Sequence, residues 1–591
     1  MSLDRWRRTL LGMTAAMGCM RLSATPEVGE SPTAVLSAAL AAGVRLLDTA
    51  DVYGPDDGAL GHNERLIASV LSTWTGDSVR VATKGGLTRP GGRWLPDGRA
   101  KHLRAACERS LHALGVPCID LYQLHAVDPK TPLRTSARAL ERLQRDGLVR
   151  KVGLCNVTVE QIEEARRHVE VAAVQVALSP WDMSAVRGGV VAYCIEHGIE
   201  LLLHSPLGGA KRKGRAEKDR VVADVATREA MPAGQVVLAW LRSLGPVTPL
   251  PGATRVVTGA ACGATPSLSD KALADLDARF SVALQLRTPA SSRRPSPDGD
   301  GDVVMTVGMQ GVGKTVHAKG LVDAGYVRLN RDEAGSTLAK LHRKLDATLA
   351  AGNRRVVLDN TYPSRAIRNE VVEVAWRHGV PVRVLWMQAG VDDARIGVVD
   401  RMLAAHGGLL GPAEIRTLRN KDMTALPPSV HARYTAAFET PTEAEGFAVE
   451  PLAARAVVAT GPSWVAVDIA VLRQLADTGD AAGSALKALG DPVVAVGWTP
   501  SDSDSVEEEL PRWQQALGIT LTASTCAHPA GPLQCWCRPP MPGLLCAAAR
   551  MHGRTLGRCV FVGEGAFAER FAAACRVERF VAGSSLIGSA G

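Results

Sequence analysis

Three sets of residues in this 591-residue sequence have types and spacings that could do chemistry. In the first, polar residues each close an apolar β-type run: Asp48, Lys84, His125, Asn156, Gln175 and Ser205, with Tyr53 in the loop after Asp48. In the second, VVMTVGMQGVGKT, an apolar run enters Gly308, and Gly311, Gly313, Lys314 and Thr315 follow at the Walker A spacing. Glycines there let backbone N–H groups converge on phosphate oxygens, Lys314 reaches the terminal phosphates, and the Thr315 hydroxyl can ligate Mg²⁺. The spacing specifies a nucleotide phosphate such as ATP but no reaction, since the same loop serves switches and motors. The third set is Cys526, His528, Cys535 and Cys537 in a proline-containing loop. A metal-free cysteine loop is the alternative reading, but four soft ligands so close favour a tetrahedral structural Zn²⁺ with no open position for catalysis.

The elements that must position these residues are legible in outline. Eight apolar runs, at 18–22, 44–48, 79–84, 120–125, 151–156, 171–176, 200–205 and 246–251, alternate with amphipathic patterns such as SARALERLQRDG. That is the arithmetic of an α/β (β/α)₈ TIM barrel, in which chemistry sits at the C-terminal ends of the strands. Residues 286–302, LRTPASSRRPSPDGDGD, have little to bury and read as a linker. The expected organisation is a barrel over 1–287, a linker over 288–302, a P-loop domain over 303–452 and a third domain over 460–591.

Composition narrows the class. Hydrophobic residues make up 46% and charged residues 22%, which excludes a disordered chain, while 4% aromatics require aliphatic cores. The 68 Lys+Arg against 60 Asp+Glu leave +8, too mild an excess to argue for a polyanionic partner. Twelve scattered cysteines form no disulfide framework and suggest a reducing, cytoplasmic compartment. No run approaches the ~18 apolar residues of a membrane helix. The start RWRRTLLGMTAAMGC has the outline of a secretory signal, but Gly18–Ser23 serve better as the first barrel strand.

The ordered motifs DTADVYG, GHNE, ATKGG, YQLH, GLCN and PGATR resemble the aldo/keto reductase family across nearly the whole first segment. The resemblance implies carbonyl reduction, with Tyr53 as general acid, Lys84 lowering its pKa, Asp48 anchoring Lys84, and His125 aligning the carbonyl. It also implies a nicotinamide cofactor: Asn156 and Gln175 on the carboxamide, Ser205, Leu207 and Gly208 along the pyrophosphate, Thr254 and Arg255 at the adenosine end. An Arg suits a 2′-phosphate, so NADPH is favoured over NADH. Cys155 stands where the family usually has Ser, and VALSPW after Gln175 lacks a tyrosine that often stacks on the nicotinamide.

GYVRLNRDEAGS, RRVVLDNTYPSRAIRNEVV, VPVRVLWM, VDDARIGVVDRM and YTAAFETPTEAEGF resemble, in order, the kinase domain of polynucleotide 5′-kinases. The resemblance implies Asp332 as general base, Arg331 beside it, Asp359 and Asn360 near metal and acceptor, and Arg395 and Arg401 as lid arginines. For Arg401 a solvated helix face is an equal reading. RNA or DNA 5′-OH ends are the implied acceptors. The third segment resembles a Rossmann-like haloacid-dehalogenase-type phosphatase in which Asp468 is followed at +2 by Ala470 instead of a general acid, with Thr499, Arg538 and Glu564 in the remaining places; weak phosphatase activity or none is expected. The alternative for the whole chain is a small-aldehyde reductase whose P-loop module only binds or senses ATP.

Overall fold

The computed structural model describes residues 15–24, 30–209, 214–280, 301–331, 337–418, 421–453, 459–499, 506–528 and 535–587. Two compact units form, residues 1–293 with 365–370, and residues 294–364 with 371–591. No helix among the described residues is long and apolar enough to cross a membrane.

In the first unit, eight parallel strands pair in sequence order. They are β1 (Ala15–Gly18), β2 (Val44–Asp48), β3 (Arg80–Gly85), β4 (Ile119–Leu124), β5 (Val149–Cys155), β6 (Val171–Ala177), β7 (Glu200–His204) and β8 (Val247–Leu250). The ring nearly closes, because Gly18 N–H donates to Pro251 O at 3.0 Å. The strand expected at 18–22 is therefore displaced to 15–18, and Met20–Leu22 form a 3₁₀ turn. Ala15–Gly18 are the residues that pair with β2, Cys19 and Leu22 are buried beyond the strand, and a Cβ on Gly18 would sit 3.2 Å from Leu250 O where the ring closes.

Ala16, Leu46, Ala82, Leu121, Ala173, Leu202 and Leu250 fill the barrel interior, one from each strand except β5. At β5 the place is taken by Gly153, against which Gln123 packs. Outside, helix Leu133–Arg145 shows why the pattern folds as it does. Leu133, Ala137, Leu140 and Leu143 are buried while Arg134, Arg138 and Arg142 are exposed, and each buried leucine contributes ~1.5–3 kcal/mol.

The second unit holds two parallel five-stranded sheets. The first has the order β10–β11–β9–β12–β13, with β9 (Val303–Val307), β10 (Val327–Leu329), β11 (Val356–Leu358), β12 (Val382–Gln388) and β13 (Ala448–Ala453). The second has the order β16–β15–β14–β17–β18, with β14 (Trp464–Asp468), β15 (Val493–Trp498), β16 (Leu521–Cys526), β17 (Cys559–Gly563) and β18 (Arg579–Ala582). Each sheet has an apolar cluster of its own, around Val304, Val357 and Leu385 in the first and Val465, Val493 and Val560 in the second, and a further cluster joins them. Val398, Met402 and Leu403 of helix Val391–His406 share one apolar cluster with Trp536, Leu545, Ala549 and Phe561.

Candidate active sites

The barrel site is built by buried polar bonds at the ends of β2 and β3. Asn63, fully buried, accepts from Thr49 Oγ1 at 2.7 Å and donates to Cys19 O at 3.0 Å and Ser23 Oγ at 2.8 Å. Glu64 accepts from Thr83 Oγ1 at 2.6 Å. The GHNE motif thereby ties the loop after β2 to β3, and Asn63 N–H donates to Tyr53 O at 3.1 Å, fixing the tyrosine's backbone.

Lys84, 1% exposed, donates to Asp48 Oδ2 at 2.8 Å, to Thr49 O at 2.8 Å and to Tyr53 OH at 3.4 Å. Burial alone would lower the Lys84 pKa, but the Asp48 carboxylate and the Tyr53 hydroxyl more than offset it, and the ammonium is held charged. Burial raises Tyr53 to about 12; Lys84 acts on it in the expected direction, lowering its pKa, but burial outweighs it. His125 meets Tyr53 edge to face at 5.6 Å between ring centres. Burial, with the charges of Lys84 and His204, holds His125 well below its usual pKa, and its Nδ1 is buried without a hydrogen-bond partner among the described residues.

Asn156 and Ser205 lie just past β5 and β7, both exposed and both at positive φ (56° and 54°). His204 joins them, its Nε2 2.9 Å from Asn156 Oδ1 and its Nδ1 3.2 Å from Ser205 Oγ. Leu207, Gly208 and Thr254 are half-buried, and Arg255 is exposed. Gln175 is placed otherwise than expected. It is 3% exposed and donates to Asp48 Oδ1 at 2.7 Å, so it completes the Lys84–Asp48 chain instead of facing outward.

Four participants escaped sequence reasoning. His204 precedes Ser205 in ELLLHS and is the true end of β7. Trp94 sits edge-on to Tyr53 at 6.2 Å, with Arg89 4.6 Å above the indole. Glu30 accepts from Val256 N–H at 2.5 Å, setting a carboxylate at the start of helix Val256–Gly263 beside Arg255. Only His204 had a signal, its place at a strand end; the other three contacts are tertiary.

In the second unit the glycine-rich loop leaves β9 as expected. Gly308, Gly311 and Gly313 have φ of 155°, 92° and 91°. At Gly311 a Cβ would run into Ala394 O and Val398 N, so glycine is required there on both counts. Lys314 donates to Gly308 O at 3.0 Å and Met309 O at 2.5 Å, and Thr315 is exposed at the first turn of helix Lys314–Asp323. His431 Nε2–H donates to Gln310 O at 2.9 Å. Burial lowers the His431 pKa, and the charges of Arg395, Lys314 and Arg401 add to that, so both expected lid arginines are felt at the residue that bonds the loop. Arg395 also pairs with Asp392 at 2.8 Å.

Asp332 lies outside the described residues. Arg331 N–H donates to Asn360 Oδ1 at 3.4 Å. Asp359 is 3% exposed and ion-paired to Arg328 at 2.5 Å, a partner that the sequence reading missed.

In the third sheet Asp468 caps helix Ile469–Ala476, accepting from Ala470 N–H at 2.8 Å. Glu564 accepts from Ser584 N–H at 3.0 Å, and Arg538 lies 5.6 Å over Trp498. Thr499 N–H donates to Cys526 O at 3.0 Å. The ligand atoms of Cys526, His528, Cys535 and Cys537 all lie within 4.8 Å of one another. Their close pairs span 3.1–3.9 Å, against ~3.8 Å for the sulfur–sulfur edge of a Zn²⁺ tetrahedron with bonds of ~2.3 Å. The residues fit that ion.

Comparison with known proteins matches residues 16–258 to the aldo/keto reductase family and residues 303–407 to an AAA domain family. An uncharacterised oxidoreductase of Schizosaccharomyces pombe is 33% identical over 234 residues, 39% of this chain and 72% of that protein. Among solved structures, a glycerol dehydrogenase from Gluconobacter oxydans is 26% identical with a TM-score of 0.39, covering 45% of this chain and 91% of that one. An aldo-keto reductase from Klebsiella pneumoniae in complex with NADPH is 23% identical with a TM-score of 0.38, covering 45% and 91%.

Proposed function

Residues 16–258 belong to the aldo/keto reductase family, and from that premise we propose that the barrel reduces a small carbonyl substrate with NADPH. We propose further that the P-loop transfers phosphoryl from ATP–Mg²⁺ to a hydroxyl, with a nucleic acid 5′-OH as the preferred acceptor. The observation that carries the first reading is the buried line Asp48–Lys84–Tyr53, at 2.8 and 3.4 Å, ending in a phenol beside His125.

The rim fits a nicotinamide dinucleotide: His125 Nδ1 is buried without a partner among the described residues, and Asn156, Ser205 and Arg255 are exposed. Gln175 is buried on Asp48, whereas Asn156, although it bonds His204 and His125 O, is exposed at the rim and serves as the carboxamide contact. NADPH, when bound, supplies hydride to the carbonyl carbon. As negative charge gathers on the carbonyl oxygen, Tyr53 gives that oxygen its phenolic proton. Lys84 stabilises the phenolate that remains, and Asp48 with Gln175 keeps Lys84 in place. His125, held neutral, donates its one N–H to the same oxygen and fixes its direction.

In the second unit, the charges of Lys314, Arg395 and Arg401 all bear on His431, which bonds the loop carbonyl of Gln310, and cations close to the loop are what charge neutralisation in phosphoryl transfer requires. Asp332 would act as general base. The commitment of Asp359 to Arg328 favours a second reading, ATP binding without transfer, because it withdraws a strand-end carboxylate from the metal. The Cys526–His528–Cys535–Cys537 cluster holds Zn²⁺ as a staple, and the third sheet is a degenerate phosphatase-like module. Incubation with ATP–Mg²⁺ and a panel of 5′-OH oligonucleotides and small alcohols separates the readings. Label in the oligonucleotide, lost in Asp332→Ala, supports transfer; ATP binding with no labelled product supports sensing.

A further inference from the structure

A cavity of about 1010 Å³ adjoins the P-loop; helix Val391–His406 lines it with Asp393, ion-paired to Arg576, and Asp400, and its two further sides come from residues far apart in sequence. One side is Gly311, Gly313, Val316 and His317, from the loop and the first turn of the helix that follows it. The other is Arg550 and Arg554, from the third sheet's helix Gly543–Met551 and the turn after it. The loop itself is also supported from the third sheet. Trp536, fully buried between two cluster cysteines, donates to Leu426 O at 2.6 Å and meets the His431 ring at 5.8 Å. His431 in turn holds the loop carbonyl of Gln310.

Backbone N–H groups of the loop account for phosphates, which leaves the base and ribose of a nucleotide to lie beside the first helical turn. The cavity is at that turn and is of the size that holds a nucleotide. The surfaces of Val316 and the two arginines suit a neutral aromatic ring. Val316 is 66% exposed and offers apolar surface, and a guanidinium plane stacks on a base. Arg550 is exposed and makes no ion pair among the described residues. Arg554 donates through Nη2 to Asp491 O at 3.2 Å, while its Nε is buried with no hydrogen-bond partner among the described residues.

We propose that the third sheet has become part of the nucleotide site: Arg550 and Arg554 wall the base and ribose of a nucleoside triphosphate whose phosphates sit on the loop. This rests on reading Gly308–Thr315 as a phosphate loop. It gives the module a use that needs no phosphatase carboxylates, consistent with Ala470 at +2 from Asp468.

Titrating the full chain with ATP and, separately, with inorganic tripolyphosphate tests the assignment. Arg550→Ala, at an exposed position whose loss leaves the fold intact, is expected to weaken ATP about tenfold and to leave tripolyphosphate unchanged. Arg550→Lys, which keeps the charge but not the plane, is expected to recover only part of the ATP affinity. Lys314→Ala is expected to weaken both ligands. Wild-type ATP affinity in Arg550→Ala, or equal losses for the two ligands, overturns the proposal while the phosphate loop stands. A wild-type chain that binds neither ligand overturns the phosphate-loop reading and this one with it.

Discussion

Replacing Lys84 by methionine removes the ammonium from the centre of the barrel site and keeps most of its volume. Three bonds are lost, to Asp48 Oδ2, Thr49 O and Tyr53 OH. Asp48, 4% exposed, then has Gln175 Nε2, at 2.7 Å, as the neighbour still donating to it. Stranding one partner of a buried ion pair costs ~3–5 kcal/mol. For a unit of this size each kcal/mol moves Tm by ~2–4 °C, so the barrel transition is expected to fall by about 10 °C. Adding Asp48→Asn removes the stranded charge and is expected to recover at least about half of that loss. Catalysis should suffer separately. Burial already holds Tyr53 at about 12, and loss of the ammonium opposing it makes the phenol a poorer acid, with kcat lower by ~100- to 10,000-fold. Calorimetry of the full chain with single and double variants reads the first effect, and NADPH-dependent aldehyde reduction reads the second. A single variant that melts within about 2 °C of wild type and keeps wild-type kcat refutes the reasoning.

Glu30→Gln removes the carboxylate beside Arg255 and is expected to strengthen NADPH several-fold with little change for NADH, read by fluorescence titration of both cofactors. Burial, with the charge of Glu64 adding to it, raises Asp51 from 3.8 to about 8. The folded barrel thus keeps a proton that the unfolded chain releases above about pH 4, and the stability Asp51 contributes falls as pH climbs from there through 8. Asp51→Asn is expected to flatten that slope, checked by Tm across the same window. One Zn²⁺ per chain is expected by elemental analysis, and Cys535→Ser is expected to lose it and to lower the Tm of the second unit, since Trp536 packs behind the cluster.

Much of the barrel site was readable because parallel strands reveal themselves as apolar runs and the first polar residue after each marks the face where chemistry collects. Asp48, Lys84 and Tyr53 are assembled as that rule implies. Gln175 obeys it in position but not in role, because which buried donor satisfies Asp48 depends on packing across the barrel between β2 and β6. Glu30 and Trp94 reach their sites from segments with no periodic signal, and Arg328 meets Asp359 across a register set by β10 and β11. The expected break between the second and third segments falls between two sheets of one compact unit, and a shared apolar cluster joins them. Helix Val391–His406 has apolar residues on more than one face, and that is the local sign that it packs in two directions.

The central claim is that Tyr53 delivers the proton in a carbonyl reduction. The most direct measurement is a single-turnover comparison of wild type and Tyr53→Phe with bound NADPH and a reactive aldehyde. The expected result is equal cofactor affinity in the two proteins, with NADPH oxidation in the wild type and none above background in the variant. A phenylalanine variant that oxidises NADPH at the wild-type rate, or a wild-type chain that does not bind NADPH, contradicts the account.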